Sequence, residues 1–562
     1  MDALEARLEE AVRCRQAGQW NRAAALCAQI LERRPEDAGA LHLLGLMAFQ
    51  AGAAEAALEL ISRAAAAAPA EAPLWISLGC VLRAAGRLAE AARCFEQAAA
   101  LDPHSPEAYS NLGNALRELG RGEQALEPLR RALRLRPDFP EAALNLAAAL
   151  EEVGRLEEAV ELLGRELERR PGFAEARVNL GNILGKQGRL EEAAEQLRQA
   201  VGQKPELAAA WNNLGAIYER SGRPREAVAC YREAVRRRPD FAEAHLNLGM
   251  ACLLTGRFQE GWREYEWRLK LRGGPEGRFR RPVWEGSSPE GLRILLTAEQ
   301  GLGDAIQFVR YVPLLAGRGA VVYLECAWRL APLLRSVRGL AGIVPAGSVP
   351  PDFDVHLPLL SLPRVFGTDL GDIPAEVPYL EAPREGIERW RHWIRRRSAG
   401  LSVGLCWASN AQGKNAAARS MRLERLAPLG RIPGLTFFSL QRGPQAAEAA
   451  QPPGGMRLED LEAEAEGILD TAAAIAGLDL VISVDTMVAH LAGALARPVW
   501  TLLPFAPDFR WMLERSDSPW YPTMRLFRQP APGDWDAVIG EVARELSAWQ
   551  ASREVGCHAQ HG

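Results

Sequence analysis

At 562 residues the chain is too long for one hydrophobic core, so about two to four domains are expected. Its 67 Lys and Arg nearly balance 71 Asp and Glu, a net charge of −4, which argues against a dedicated nucleic-acid binder. Nine scattered cysteines form no CxxC pair, no apolar run is long enough to span a bilayer, and the charged start MDALEARLEEAVR lacks the apolar centre of a signal peptide. A protein of a reducing cytoplasm, without nucleic-acid partners or a membrane span, is the expectation.

The first half is periodic. Glycines recur every 34 residues at Gly18, Gly52, Gly86, Gly120, Gly154, Gly188, Gly222 and Gly256. Prolines keep the same step from Pro35 to Pro239. So does a Leu-Gly pair, as at Leu78-Gly79, with Leu146-Ala147 as the variant. Each marker has a physical job. Gly86 and its equivalents end the first helix of a pair in a left-handed conformation. Gly79, and small residues such as Ala91 on the second helix, let the pair approach closely. The prolines stop the second helix before the next repeat. These features resemble tetratricopeptide repeats from about residue 4 to 271. The resemblance implies stacked helix pairs with a groove lined by the first helices.

A fourth marker shares the step: Asn111, Asn145, Asn179, Asn213 and Asn247. An amide both donates and accepts, so a row of amides can grip an extended peptide backbone without reading its side chains. The row resembles the asparagine ladder of eukaryotic O-linked N-acetylglucosamine transferases, which implies an acceptor polypeptide in the groove. The alternative is that each Asn caps or solvates its own repeat. Ser77 and Leu43 at the earlier equivalents mean the ladder fades toward the N-terminus.

The aromatics Phe258, Trp262, Tyr265 and Trp267 are expected to dock the last repeat against the next domain, and Leu271 to Pro275 reads as a linker. From Arg293 the period changes. Strand Ile294–Thr297, loop 298–304, a helix from Ala305 to Leu315, strand Val321–Leu324 and a helix from about Trp328 to Val337 alternate as a parallel sheet requires. A basic helical stretch, Pro374 to Gly400, connects to a second alternation with strands at Ser402–Trp407 and Leu435–Leu440. The apolar run Leu480–Val484 breaks at Asp485-Thr486, and an apolar helical pattern follows with Met487, Val488, Leu491, Ala492 and Leu495. The last helix, about Trp535 to Trp549, is expected to pack back on the first lobe.

The strand–turn–helix at Asp485 presents a helix N-terminus at the carboxyl edge of a sheet, where phosphate groups bind. Thr486 can cap the helix and donate a hydroxyl, and His490 lies one turn further on the same face. An ordinary N-cap explains the same residues. The loop from Trp407 to Ser420 also follows a strand end. Lys414, Arg419 and Ser420 are its candidates for meeting a leaving phosphate, which gathers negative charge; a plain surface loop is the alternative. Gln441 either meets the base or ribose of a nucleotide or caps a turn. Gly301 and Gly303 either let their loop approach a ligand or only shape the turn. Asp352-Phe353-Asp354 matches a DxD metal motif but leads into an apolar strand, and no metal or other cofactor is expected.

Two such lobes resemble the GT-B architecture of glycosyltransferases over about residues 282 to 550. The resemblance is to the lipopolysaccharide heptosyltransferase superfamily through Gly303-Asp304 and Asp485-Thr486-Met487-Val488-Ala489-His490-Leu491. Bacterial proteins joining tetratricopeptide repeats to this domain, flagellin glycosyltransferases among them, are similar through Glu299 to Asp304, Gln307-Phe308, Arg310-Tyr311, Ser439-Leu440-Gln441 and Ser518 to Pro522. What the resemblance implies is a nucleotide sugar on the second lobe and an acceptor reaching in from the first, past Gly301, Gly303 and Gln307. Asp304 would then be the general base that takes the acceptor proton; otherwise it caps the helix at Ala305.

The expected organisation is an α-solenoid over 1–271, a linker over 272–292, a first α/β lobe over 293–396, a second over 397–550 and a tail over 551–562. The expected function is metal-independent protein O-glycosylation, with flagellin or another surface protein as acceptor. Two rivals stand beside it. Ala416, Ala417 and Ala418 lie where similar domains carry a His and an Asp, which motivates a non-catalytic scaffold. The other is a transferase of glycan or lipopolysaccharide assembly.

Overall fold

The computed structural model describes residues 3–271, 278–398, 400–409 and 416–559. The chain forms an N-terminal α-solenoid of helix pairs followed by an α/β region with parallel sheets. Two compact units divide it, Met1–Ile217 and Tyr218–Gly562.

In the first unit each repeat is a pair such as Ala72–Ala84 and Leu88–Leu101, or Pro106–Glu118 and Gly122–Leu135. The glycine that closes each first helix is left-handed, from Gly18 at φ 73° to Gly188 at φ 79°. At Gly86 the turn closes by hydrogen bonds from Gly86 N to Arg83 O and from Arg87 N to Leu82 O, which satisfies carbonyls the helix leaves open. The second helices end on a residue forced out of helical space by the next proline. Arg34, Asp102 and Lys204 have ψ of 85°, 90° and 80° before Pro35, Pro103 and Pro205. Close packing needs the small residues: a Cβ on Gly79 would lie 2.5 Å from the Phe95 ring, and one on Gly113 2.4 Å from Leu129. Ala147 fills the variant position and is fully buried.

First helices meet one another through side chains. His42 Nε2 lies 2.8 Å from Ser77 Oγ, and Asn213 Nδ2 donates to Asn182 Oδ1 at 2.9 Å. Ion pairs Arg83–Glu118, Arg117–Glu152 and Lys186–Glu151 continue along the same helices.

The second unit begins before the repeats end. Helices Pro224–Arg237, Ala242–Leu254 and Phe258–Tyr265 belong to it. Trp262, 2% exposed, stands edge-on to Phe308, Phe509 and Trp520 at centroid distances of 6.1, 5.8 and 6.5 Å. The aromatic cluster therefore docks as expected, with one exception. Trp267 stacks back on His245 at 3.8 Å instead of entering the α/β region. The expected linker residues 272–277 lie outside the described residues.

Both sheets are wholly parallel. The first has the order β3-β2-β1-β4, with β1 Arg293–Thr297, β2 Val321–Cys326, β3 Leu340–Pro345 and β4 Val355–Pro358. The second has the order β10-β9-β8-β5-β6-β7, with β5 Leu401–Cys406, β6 Leu435–Ser439, β7 Leu458–Asp460, β8 Leu480–Val484, β9 Val499–Leu503 and β10 Met524–Arg528. Helices cover both faces of the second sheet, which is why its central strands are continuous apolar runs. Leu480, Ile482 and Val484 face one cluster and Val481 the other.

Three expected helices differ from the sequence reading. The helix expected from Ala305 to Leu315 is two helices, Leu302–Phe308 and Val312–Gly317, joined by a tight turn; Pro313 has no N–H to continue the first. The helix expected from Trp328 to Val337 shrinks to Ala331–Leu334. The last helix, Trp535–Ala559, packs on the second lobe and not the first. Its stripe Trp535, Val538, Ile539, Val542 and Leu546 meets Val403, Leu405, Leu480 and Ile482, a face that helices Ile468–Gly477 and Met487–Ala494 leave open.

Candidate functional site

In an open parallel sheet ligands bind beyond the carboxyl ends of the strands, where strand order reverses. In the second sheet that point lies between β5 and β8, because the chain runs β5-β6-β7 one way and β8-β9-β10 the other. In the first sheet it lies between β1 and β4. The loops at those points are the ones singled out above: 298–304 after β1, 407–420 after β5, and Asp485-Thr486 after β8.

The β1 loop turns on Gln300, whose φ of 63° is left-handed, and not on Gly301 or Gly303. Gly301 is the N-cap of helix Leu302–Phe308. Its N–H donates to Asp304 Oδ2 at 2.7 Å, so Asp304 does serve the helix start, one turn in. Gly303 is needed for closeness: a Cβ there would lie 2.9 Å from His490 Cδ2. The β1 loop and the helix after β8 thus touch.

The other carboxylate oxygen of Asp304 pairs with Arg510 Nη2. Arg510 is a residue that the sequence reading missed. It is 7% exposed, donates from Nε to Gln307 Oε1 at 2.7 Å and from Nη1 to Asp508 Oδ1 at 2.6 Å, and lies over the Phe509 ring at 4.5 Å. Burial opposes its charge, but Asp508 and Asp304 outweigh that and hold the guanidinium firmly protonated. The signal that was available is its position: an arginine between aromatics, Phe509-Arg510-Trp511, shortly after the end of β9. Arg310 is a second buried cation at the seam, donating to Trp520 O at 2.5 Å, Pro374 O at 3.1 Å and Tyr379 Oη at 2.8 Å.

The β8 turn is built as expected, yet its polar atoms are largely engaged. Thr486 caps its helix by accepting from Val488 N at 3.3 Å, and its hydroxyl lies 2.9 Å from Ser483 Oγ. Asp485 accepts from Arg419 Nη1 at 3.3 Å, and burial raises its carboxyl pKa, with Asp508 adding to the shift. His490 Nδ1 lies 2.9 Å from Tyr521 Oη, and its ring stacks on Trp511 at 5.3 Å. Burial, then Arg510, Arg310 and Arg419, push its pKa well down. The imidazole is neutral, so its 4.0 Å approach to Asp485 is no ion pair. Cys406 beside Thr486 is a neutral thiol, pushed up to about 11 by burial.

Three residues expected to face a ligand are used within the lobes. Gln441 accepts from Trp407 N and Ala408 N at 3.0 and 2.9 Å and donates to Ala408 O and Arg442 O at 3.1 and 2.8 Å, so its amide fastens β6 to the end of β5. Ser420 Oγ donates to Ala416 O at 2.6 Å and accepts from Ser409 N at 3.0 Å, which closes the loop. Gln307 is fully buried, inside the helix and not in the loop. Lys414 lies outside the described residues. Arg419 keeps a buried Nε without a partner. The DxD carboxylates hold the start of β1: Asp354 and Asp352 each pair with Arg293 at 2.7 Å.

On the repeats, Asn111, Asn145, Asn179 and Asn213 are half-buried in the first unit, and Asn247 is half-buried in the second. None is sealed in the core, which leaves part of each side chain in reach of a guest.

A solenoid of repeats joined to a parallel α/β region with facing loops defines the class of the protein. The tetratricopeptide repeat family matches residues 8–72, 76–140, 110–175 and 212–265, and a further TPR repeat family matches 181–222. Among curated proteins the chain is similar to Protein FlbA of Caulobacter vibrioides, 28% identical over 330 residues, 53% of this chain and 54% of FlbA. The chain thus spans about half the length of that relative. Among solved structures, YrrB, described as a TPR protein with an unusual peptide-binding site, is 24% identical over 33% of this chain and 96% of its own, with a TM-score of 0.27. A tetratricopeptide repeat protein from Parabacteroides merdae is 14% identical over 44% of this chain and 98% of its own, with a TM-score of 0.38. No helix among the described residues is long and apolar enough to cross a membrane.

Proposed function

We propose that the protein is a protein O-glycosyltransferase of GT-B type, taking a nucleotide sugar at the second lobe and a polypeptide acceptor on the repeats. One observation carries the reading: beside the reversal points of the two parallel sheets, Gly303 lies against His490 of the helix after β8, and Asp304 pairs with Arg510 of the segment after β9. Groups that could handle an anionic leaving group therefore lie beside a carboxylate that could take a proton.

In the reaction an acceptor hydroxyl oxygen attacks the anomeric carbon as the bond from that carbon to the phosphate oxygen breaks. Asp304 receives the hydroxyl proton. Arg510, Arg419 and the N-terminal end of helix Met487–Ala494 face the departing diphosphate. With Arg510 on Asp304, the base is masked. An arriving diphosphate competes for the same guanidinium fork, so donor binding would unmask the carboxylate. His490 stays neutral and positions the β1 loop through its contact with Gly303. The half-buried asparagines supply donors and acceptors for an extended acceptor chain.

Radiolabelled nucleotide sugars incubated with the purified protein and host lysate should label a protein band, and Asp304→Asn should abolish the label. Absence of transfer and of donor hydrolysis across a broad panel would refute the reading. A second reading, a non-catalytic scaffold, is favoured by the internal engagement of Gln441, Ser420 and Asp485. Calorimetry separates the two, since a scaffold binds none of UDP, ADP, GDP or CMP.

A further inference from the structure

The amino-terminal edge of the second sheet, opposite the site described above, carries a second concentration of charge. A recess of about 340 Å³ opens there between helix Arg384–Arg397, the starts of β5 and β8, and the turn before β9. Arg391, Arg395 and Arg497 line it together with Asp479 and Ser402. Arg553 reaches the same carboxylate, 3.5 Å from Asp479 Oδ1.

Three guanidiniums thus share the recess with one carboxylate, a fourth reaches that carboxylate, and the carboxylate is partly occupied. Asp479 Oδ2 accepts from Ser402 N at 2.9 Å and from Ser402 Oγ at 2.7 Å. Arg497 donates to Leu478 O, while its Nε is buried without a partner. Burial first, then the charges of Arg391 and Arg553, lower the Arg497 pKa against the pull of Asp479. Two of the other four arginines on the same helix are matched: Arg389 pairs with Asp470 and Arg397 approaches Glu459 at 3.8 Å, while Arg384 and Arg396 have no carboxylate partner among the described residues. Among the described residues Arg391 and Arg395 have no such carboxylate. Like charges gathered in a partly enclosed space repel, and the arrangement is relieved when an anion of matching charge enters.

We infer that this recess is an anion site for a phosphorylated small molecule, a phosphomonoester or a pyrophosphate. The excess of three positive charges favours a multiply charged anion over a single carboxylate. Planar guanidinium forks match phosphoryl oxygens in pairs. The recess is concave, which suits a compact solute better than a flat lipid surface. Nothing in this assignment depends on glycosyl transfer.

The test is calorimetric titration of the full-length protein with pyrophosphate at low salt, in an Arg419→Gln background that weakens the proposed donor site. Saturable binding is expected, weakened about tenfold or more by Arg391→Gln with Arg395→Gln, with the unliganded melting temperature not lowered, because both side chains are exposed and their mutual repulsion is removed. Absence of saturable binding, or equal affinity in the double substitution, would overturn the inference. So would binding to vesicles of anionic phospholipid that requires Arg391 and Arg395 but is not displaced by pyrophosphate.

Discussion

Arg510→Ala removes one buried cation that serves three partners at once. Asp304 loses the ion pair, Asp508 loses its 2.6 Å contact and Gln307 Oε1 loses its 2.7 Å donor. The Arg510 side chain is 8% exposed and that of Asp304 17%, so water replaces little of what is lost. Breaking a buried pair by deleting one partner destabilises by about 3–5 kcal/mol. In a unit of this size that lowers the melting temperature by roughly 2 °C per kcal/mol, so ~6–10 °C overall. Tryptophan fluorescence reports the change directly, because Trp511 neighbours Arg510 in sequence and Trp520 packs on Phe308, 5.7 Å from the guanidinium. A double-mutant cycle with Asp304→Ala isolates the pair, and a coupling of at least about 1 kcal/mol is expected. A single-mutant loss below about 1 kcal/mol, or no coupling, would show that Arg510 is not the cation that fastens the two loops.

Gly79→Ala drives a Cβ into the Phe95 ring and should cost about 1–3 kcal/mol by chemical denaturation, whereas Ala147→Gly should cost no more than about 1 kcal/mol. Because burial lowers the His490 pKa, the folded state refuses a proton that the unfolded chain accepts below its ordinary value near 6.5; stability therefore falls as pH drops through that value, and His490→Gln should flatten the curve measured by urea titration at pH 5 and pH 8. Glu219 has the opposite sign. Burial raises its carboxyl to about 7 although Tyr231 donates to it at 2.7 Å, so stability falls as pH rises from about 4.5 through 7, and Glu219→Gln should stabilise the protein more at pH 8 than at pH 5. Replacing Asn111, Asn145 and Asn179 together by Ala should leave donor hydrolysis unchanged and lower transfer to protein about tenfold or more, measured as label in acceptor against free sugar.

The repeats were legible because each marker answers a backbone requirement that only a few residues meet. A left-handed helix end calls for Gly86, a pre-proline break for Pro103, a close helix crossing for Gly79. The strands β1, β5 and β8 were equally plain as apolar runs closed by loops. Strand β3 was not, since Leu340–Pro345 is broken by Gly342, ends on a proline and lies on a sheet edge. The direction of the final helix was also hidden, because an apolar stripe states that a partner exists and not which sheet supplies it. At the candidate site, the strand-end loops were legible, but the internal hydrogen bonds of several side chains were not. Gln441 and Ser420 read as ligand-facing because they are polar and close to strand ends, yet each hydrogen-bonds its own lobe. Arg510 escaped notice because two of its three partners, Gln307 and Asp304, lie about two hundred positions away, and no local pattern records a contact formed only by folding.

The nest around Trp262 carries a consequence for how the chain can change. Upstream cassettes of 34 residues resemble one another closely enough that unequal recombination could add or delete one and leave an intact stack. The terminal cassette has no such freedom, since its tryptophan is gripped by Phe308, Phe509 and Trp520. Cassette number should therefore drift among descendants of this gene at the leading end, while the trailing one is inherited together with the α/β half.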